Sequence, residues 1–164
     1  MKTTPETMDF EKIASHLTDA VVVTDKKGNI RWCNNAFTQL CGYTKKEVKG
    51  KKPSVLLQGE STNPKTVAKI RAALDEGRCI RTEILNYHKK GHSYWVSISI
   101  APLKNSSGKI EGFVSIERDI SYMRMEMADM EEQIVQLYSV VVNIQQVYKE
   151  RDPENALQRD RIRN

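Results

Sequence analysis

The sequence predicts an α+β fold, with one antiparallel sheet, helices over one of its faces, and a long helix after it. Three observations carry this. Extended patterns come as a pair, then a broken helical stretch, then a group of three. The run 93–103 alternates without a slip, with Tyr94, Val96, Ile98 and Ile100 on one face and Trp95, Ser97, Ser99 and Ala101 on the other. From Ile120 onward the apolar period changes to threes and fours. Strands and helices that come in separate runs give an antiparallel sheet with the helices segregated to one side.

The first element is an N-terminal cap helix within residues 1–18. Thr4-Pro5-Glu6 offers a cap and a proline at the first helical position, and Phe10, Ile13 and Leu17 form one apolar stripe. So short a helix is not stable alone, so the stripe is expected to dock. Residues 20–24 and 30–33 are β-rich and flank the turn residues 25–29, which reads as a hairpin.

Short helices follow. Asn34 or Asn35 caps one that carries Phe37, Leu40 and Cys41 and stops at Gly42. Thr44 with Glu47 three residues on is a capping box for one further turn, closed by Gly50. Asn63-Pro64 opens a longer helix with Val67, Ile70 and Leu74 on its buried face and Gly77 at its end. The last three strands are 81–88, 93–103 and 109–120, joined by Lys89-Lys90-Gly91 and by Asn105-Ser106-Ser107-Gly108.

From Ile120 the heptad frame puts Ile120, Met127, Ile134, Val141 and Tyr148 at a, and Met123, Met130, Leu137 and Ile144 at d. β-branched a residues with Leu137 at d favour a parallel two-stranded coiled coil over 122–150. Val140 and Val147 at g widen the stripe, so packing against another surface, more than two helices, or a fold back onto the chain's own domain also stay open. Residues 151–164 are charged and read as a flexible tail.

Composition removes several classes of function. The 164 residues are 39% hydrophobic and 29% charged, as in soluble domains, and no window reads as a membrane span. Residues 1–10 hold no apolar core of a signal peptide. Cys33, Cys41 and Cys79 are odd in number and lack metal or redox spacing, which fits reduced thiols and a cytoplasmic location. The net charge of +5 is spread along the chain. Its one dense patch, Lys45, Lys46, Lys49, Lys51 and Lys52, has a single aromatic neighbour, Tyr43, and reads as a solvated face, not a nucleic-acid surface. No metal-ligand spacing, nucleophile elbow or phosphate loop is present, so no enzyme is expected.

Five pieces in order resemble the PAS family: 22–37 (Val-Thr-Asp, Gly-Asn-Ile, Asn-Asn-Ala-Phe), Gly42-Tyr43, 50–56, 94–102 and 112–121. The resemblance implies a five-stranded antiparallel sheet over 19–121, a sensor pocket on its inner face, and output through Asp119, Ile120 and Ser121 into the heptads. Leu57-Gln58-Gly59, 67–71 and Leu85-Asn86-Tyr87 are similar to the flavin-binding LOV branch of that family. LOV proteins carry a reactive cysteine within the segment that is 50–58 here; this segment has Pro53 and Ser54 and no cysteine, which excludes a photocycle through a cysteinyl bond.

Non-covalent flavin, FAD before FMN, stays open. By the resemblance, Asn86 matches the asparagine at the ring edge, a second asparagine falls on Val96, and the glutamine of the last strand falls on Glu117. Ser54 and Gln58 lie in the segment that would flank the ring. Strand alternation aims Asn86, Ser115 and Glu117 at one inner face, and burying them unpaired costs roughly 1–3 kcal/mol each. A closed polar network, ordered water or a polar ligand can satisfy them. A carboxyl such as Glu117 facing a pocket has a raised pKa unless paired, and beside a flavin it would gate a proton with redox state. Haem-binding PAS types take an axial histidine from the long helix, and residues 63–77 contain none.

The reading is a sensory module that answers a ligand, redox state or light and signals through a dimeric coiled coil. The alternatives are a cofactor-free dimerisation module and a haem-based gas sensor. Met123, Met127 and Met130 put soft side chains beside the junction. Trp95, Val114 and Ile116 on the outer sheet face would be covered by the N-terminal helix or by a second copy. The expected partners are a second copy of the chain and a downstream effector, as in histidine kinases, cyclases or chemoreceptors.

Overall fold

A computed structural model describes residues 10–151. The chain divides after Ser121 into two units, each described by itself. The first runs α1 (Phe10–Ser15), β1 (Ala20–Asp25), β2 (Ile30–Cys33), α2 (Asn35–Cys41), α3 (Lys45–Val48), α4 (Pro53–Leu57), α5 (Pro64–Asp75), β3 (Ile80–Tyr87), β4 (Ser93–Lys104) and β5 (Ile110–Asp119). The five strands form one antiparallel sheet in the order β2-β1-β5-β4-β3.

Local chemistry explains the helical middle. Asn34, fully buried, is extended and caps α2: its Oδ1 accepts from Phe37 N and Val21 N, both at 3.0 Å. Its Nδ2 donates to Ala14 O and Asp19 O. One side chain thus ties α1, β1 and α2 together. Gly42 closes α2 at φ 75°, a left-handed conformation open to glycine. The Thr44/Glu47 capping box is formed in both directions. Pro53 sits in the first turn of α4, a short helix not expected from the sequence, and Asn63-Pro64 opens α5 as expected.

The alternation along β4 is realised: Tyr94, Val96, Ile98 and Ile100 are all buried on the face that receives the helices. They join Ile84 and Phe113 in one core cluster, while Ala20, Val22, Phe37, Cys41, Val48 and Leu57 belong to a second. Leu40 packs against both.

The apolar stripe expected on the first helix is corrected. Phe10, Ile13 and Leu17 are exposed, and the buried residue of α1 is Ala14. The helix stops at Ser15, so Leu17 never joins a helical face. The chain approaches the core through a small side chain and a backbone carbonyl held by Asn34, and Phe10 meets Trp32 at the surface, with ring centroids 5.8 Å apart. On the outer sheet face Trp95 and Val114 are half-buried and Ile116 is exposed.

The second unit begins at Tyr122, one residue into α6 (Ser121–Arg151), an unbroken helix with no buried residue; Ile134 is 55% and Leu137 65% exposed. Tail residues 152–164 and the beginning of the expected cap helix lie outside the described residues. Among the described residues no helix is long and apolar enough to cross a membrane, and no cluster of histidine, cysteine and carboxylate side chains could hold a metal ion.

Candidate functional site

Between the inner sheet face and α4 and α5 lies a cavity of about 480 Å³. Its apolar walls are Leu57 from α4, Val67, Ile70 and Leu74 from α5, and Ile84, Ile98, Ile100 and Phe113 from the sheet. The α5 stripe read from the sequence as a buried face therefore lines a space, and its three residues are half-buried.

Asn86, Ser115 and Glu117 form a polar patch in this wall, at 4%, 9% and 2% exposure. The registers explain their convergence. Glu117 lies opposite Ala20 on β1 and Ile98 on β4, Ser115 opposite Val22 and Ile100, and Asn86 opposite Tyr94. All these positions share the inner pleat. Ser54 and Gln58 also line the cavity. Val96 does not: it is fully buried in the core cluster beside Ile84 and Tyr94, and is corrected from cavity wall to packing residue.

Glu117 is the chemical centre of the patch. Its Oε1 accepts from Ser115 Oγ at 3.3 Å, and its Oε2 is buried with no hydrogen-bond partner. Burial pushes its carboxyl up to about 7, and the Ser115 hydrogen bond opposes this only in part. Tyr94 Oη is the other buried polar side-chain atom without a partner among the described residues. Asn86 lies beside that hydroxyl without closing a bond of normal geometry, and burial raises the tyrosine pKa further from neutrality. Unpartnered buried polar atoms are rare in folded proteins, and two in one neighbourhood point to a missing companion.

The exposed lining residues include Lys26 and Lys27 from the β1–β2 turn, Lys52 before α4, and Arg71 on α5, with Asp75 as the one acid. Sequence reasoning missed this cationic rim. Lys52 reads in sequence as part of a solvated patch, and only the fold brings the four cations to one opening. None of the three cysteines lines the cavity: Cys33 and Cys41 are core residues and Cys79 is exposed. No histidine lines it either.

At the output end, Asp119 Oδ1 accepts from Ser121 N, Ser121 Oγ accepts from Trp95 N, and Ile120 N donates to Trp95 O, all at 2.8–2.9 Å. Ile120 is 5% exposed. The junction is thus clamped to the residue that follows Tyr94.

A family model described as a PAS domain matches residues 18–121, the whole sheet with α2 to α5. The chain belongs to the PAS domain family. Among curated relatives of this PAS domain, a blue-light-activated histidine kinase of Rhizobium johnstonii is 38% identical over 116 residues, 68% of this chain and 33% of that protein. One of Brucella anthropi is 35% identical over 104 residues, 63% of this chain and 21% of that protein. The chain therefore spans about a fifth to a third of the length of these relatives. Among solved structures, an RNA-binding light-oxygen-voltage receptor matches with TM-score 0.69 and 26% identity over 85% of this chain and 41% of that one. The LOV domain of an Erythrobacter litoralis blue-light activated histidine kinase matches with TM-score 0.60 and 28% identity over 65% and 99%. This PAS domain is thus similar to the light-sensing LOV branch in sequence and in shape.

Proposed function

We propose that the chain is the sensor portion of a signalling protein, that its cavity takes a flavin nucleotide non-covalently, and that it works as a homodimer. The observation that carries the reading is the cavity itself: apolar walls, the polar patch Asn86–Ser115–Glu117, and a rim of Lys26, Lys27, Lys52 and Arg71. A flat heteroaromatic ring with an anionic tail matches all three. The likeness to blue-light-activated histidine kinases and to LOV domains supports the same ligand class.

A bound flavin supplies blue-light absorption and reversible electron uptake. The residues of this chain do the rest. Asn86 orients the ring edge with both donor and acceptor. The rim cations hold a phosphate, and Leu57, Ile70 and Phe113 exclude water. No cysteine is among the residues that line the cavity, which supports a flavin held by contacts alone. A change at the patch is carried by β5 and by Tyr94 to the Trp95 clamp, and from there into α6. The exposed a and d stripe of α6, including Met123, Met127, Met130, Ile134, Leu137, Val141 and Ile144, pairs with that of a second copy, and the outer sheet face adds to the contact. The effector is a downstream segment or protein, as in the kinase relatives.

Absorbance of the purified protein, with mass spectrometry of any released ligand, tests this. Flavin bands near the blue and a released FMN or FAD support it. Protein that stays colourless after reconstitution with FMN and with FAD supports a cofactor-free dimerisation module instead, which the exposed stripe of α6 serves equally well.

A further inference from the structure

We propose that Glu117 is a proton-operated specificity residue: as the neutral acid it donates a hydrogen bond to an acceptor on the ring edge of the ligand, and as the carboxylate it turns that edge away. The inference rests on the flavin reading of the cavity but concerns a property that reading does not require.

Glu117 lines the cavity, is 2% exposed, and has one oxygen without a hydrogen-bond partner among the described residues. Among the described residues its one side-chain hydrogen bond comes from Ser115 at 3.3 Å to the other oxygen. Oε2 is therefore the atom left to carry a proton and offer it to a guest. A ring carbonyl or unprotonated ring nitrogen can receive it. A carboxylate at the same place presents only lone pairs to that acceptor and repels it.

Among the described residues no neighbouring element supplies a compensating cation. On β1 and β4 the register partners of Glu117 are Ala20 and Ile98. The titratable groups that feel its charge are Tyr94 on β4 and Cys41 on α2. Burial raises both, the thiol to about 11, so both stay neutral where Glu117 titrates. The polar groups of β3 and α4 on this wall, Asn86, Ser54 and Gln58, are uncharged, and the lysines, Arg71 and Asp75 of the rim are exposed. With burial as the main cause, the carboxyl changes state at about 7. Small changes of pH around neutrality then change what the cavity can hold, which makes the ligand site a reader of proton activity as well.

The test uses riboflavin, which lacks a phosphate and so takes the rim cations out of the comparison, with FMN in parallel. Each is titrated into the full chain, wild type and Glu117→Gln, by fluorescence quenching between about pH 5.5 and about pH 8.5. The wild-type Kd should weaken about tenfold from pH 6 to pH 8, because only the acid form binds. A glutamine side chain does not titrate, so the Glu117→Gln protein should show a flat Kd. Infrared difference spectra of the wild type should lose a protonated carboxyl band over the same range, with no such change in the variant. A flat wild-type Kd, an equal slope in both proteins, or a carboxylate at every pH overturns the gate and leaves the flavin reading standing. No binding of riboflavin or FMN by either protein at any pH overturns the flavin reading and the gate with it.

Discussion

Truncating Asn34 to alanine tests how the sensor unit is tied together. The side chain is fully buried and makes four hydrogen bonds, to Val21 N, Phe37 N, Ala14 O and Asp19 O. Alanine leaves two amides and two carbonyls without these partners. A buried unsatisfied group costs about 1–3 kcal/mol, and loss of a helix cap alone about 1 kcal/mol. Water entering the vacated space would recover part of this. The expected loss is about 3 kcal/mol in urea denaturation. Asn34→Asp separates the two halves of the network: Oδ1 still accepts from Val21 N and Phe37 N, whereas Ala14 O and Asp19 O now face an oxygen. Hydrogen exchange should then be accelerated at 10–19 but little changed in α2. A loss below about 1 kcal/mol in Asn34→Ala, or equal acceleration of α1 and α2 in Asn34→Asp, would refute the account.

Three other perturbations have defined outcomes. Glu117 holds its proton more tightly folded than unfolded, so the stability it contributes is complete below about 4.5 and is lost as pH rises to about 7. At about 1.4 kcal/mol per tenfold in proton activity, the unliganded wild type should lose about 3 kcal/mol across that window relative to Glu117→Gln, and a difference curve flat with pH would contradict it. Gly112→Ala places a methyl 2.1 Å from the backbone carbonyl oxygen of Thr24, so β5 must move off β1; the cost should be about 2–3 kcal/mol by thermal denaturation, and a neutral substitution would disprove the close approach. Ile134→Asp combined with Leu137→Asp should convert a dimer to a monomer in analytical ultracentrifugation without unfolding residues 10–121; an unchanged mass would rule out the stripe as the dimer contact.

Sequence made the sheet legible because strand alternation and turn chemistry are local. Ser93–Lys104 shows its two faces residue by residue, and Asn34, Thr44 and Asn63 announce helix starts through their own side chains. Elements held by distant partners were less legible. Pro53–Leu57 is a single turn, too short to show a period. The stripe Phe10, Ile13 and Leu17 misled because a helix that anchors by Ala14 and a carbonyl leaves its large side chains outward. The polar patch of the site could be placed from alternation alone. The rim could not, since Lys26, Lys52 and Arg71 lie in three separate segments and meet only across the cavity mouth.

The clamp at Trp95 has a consequence for any protein in which this chain is joined to an effector. The hydrogen bonds to Ile120 and Ser121 anchor the first residue of α6 to the sheet. Each added helical residue turns the chain beyond it by about 100°, and seven residues restore the direction to within about 20°. Functional spacers spliced into this helix should therefore come in lengths stepping by seven, and intermediate lengths should invert or silence the output.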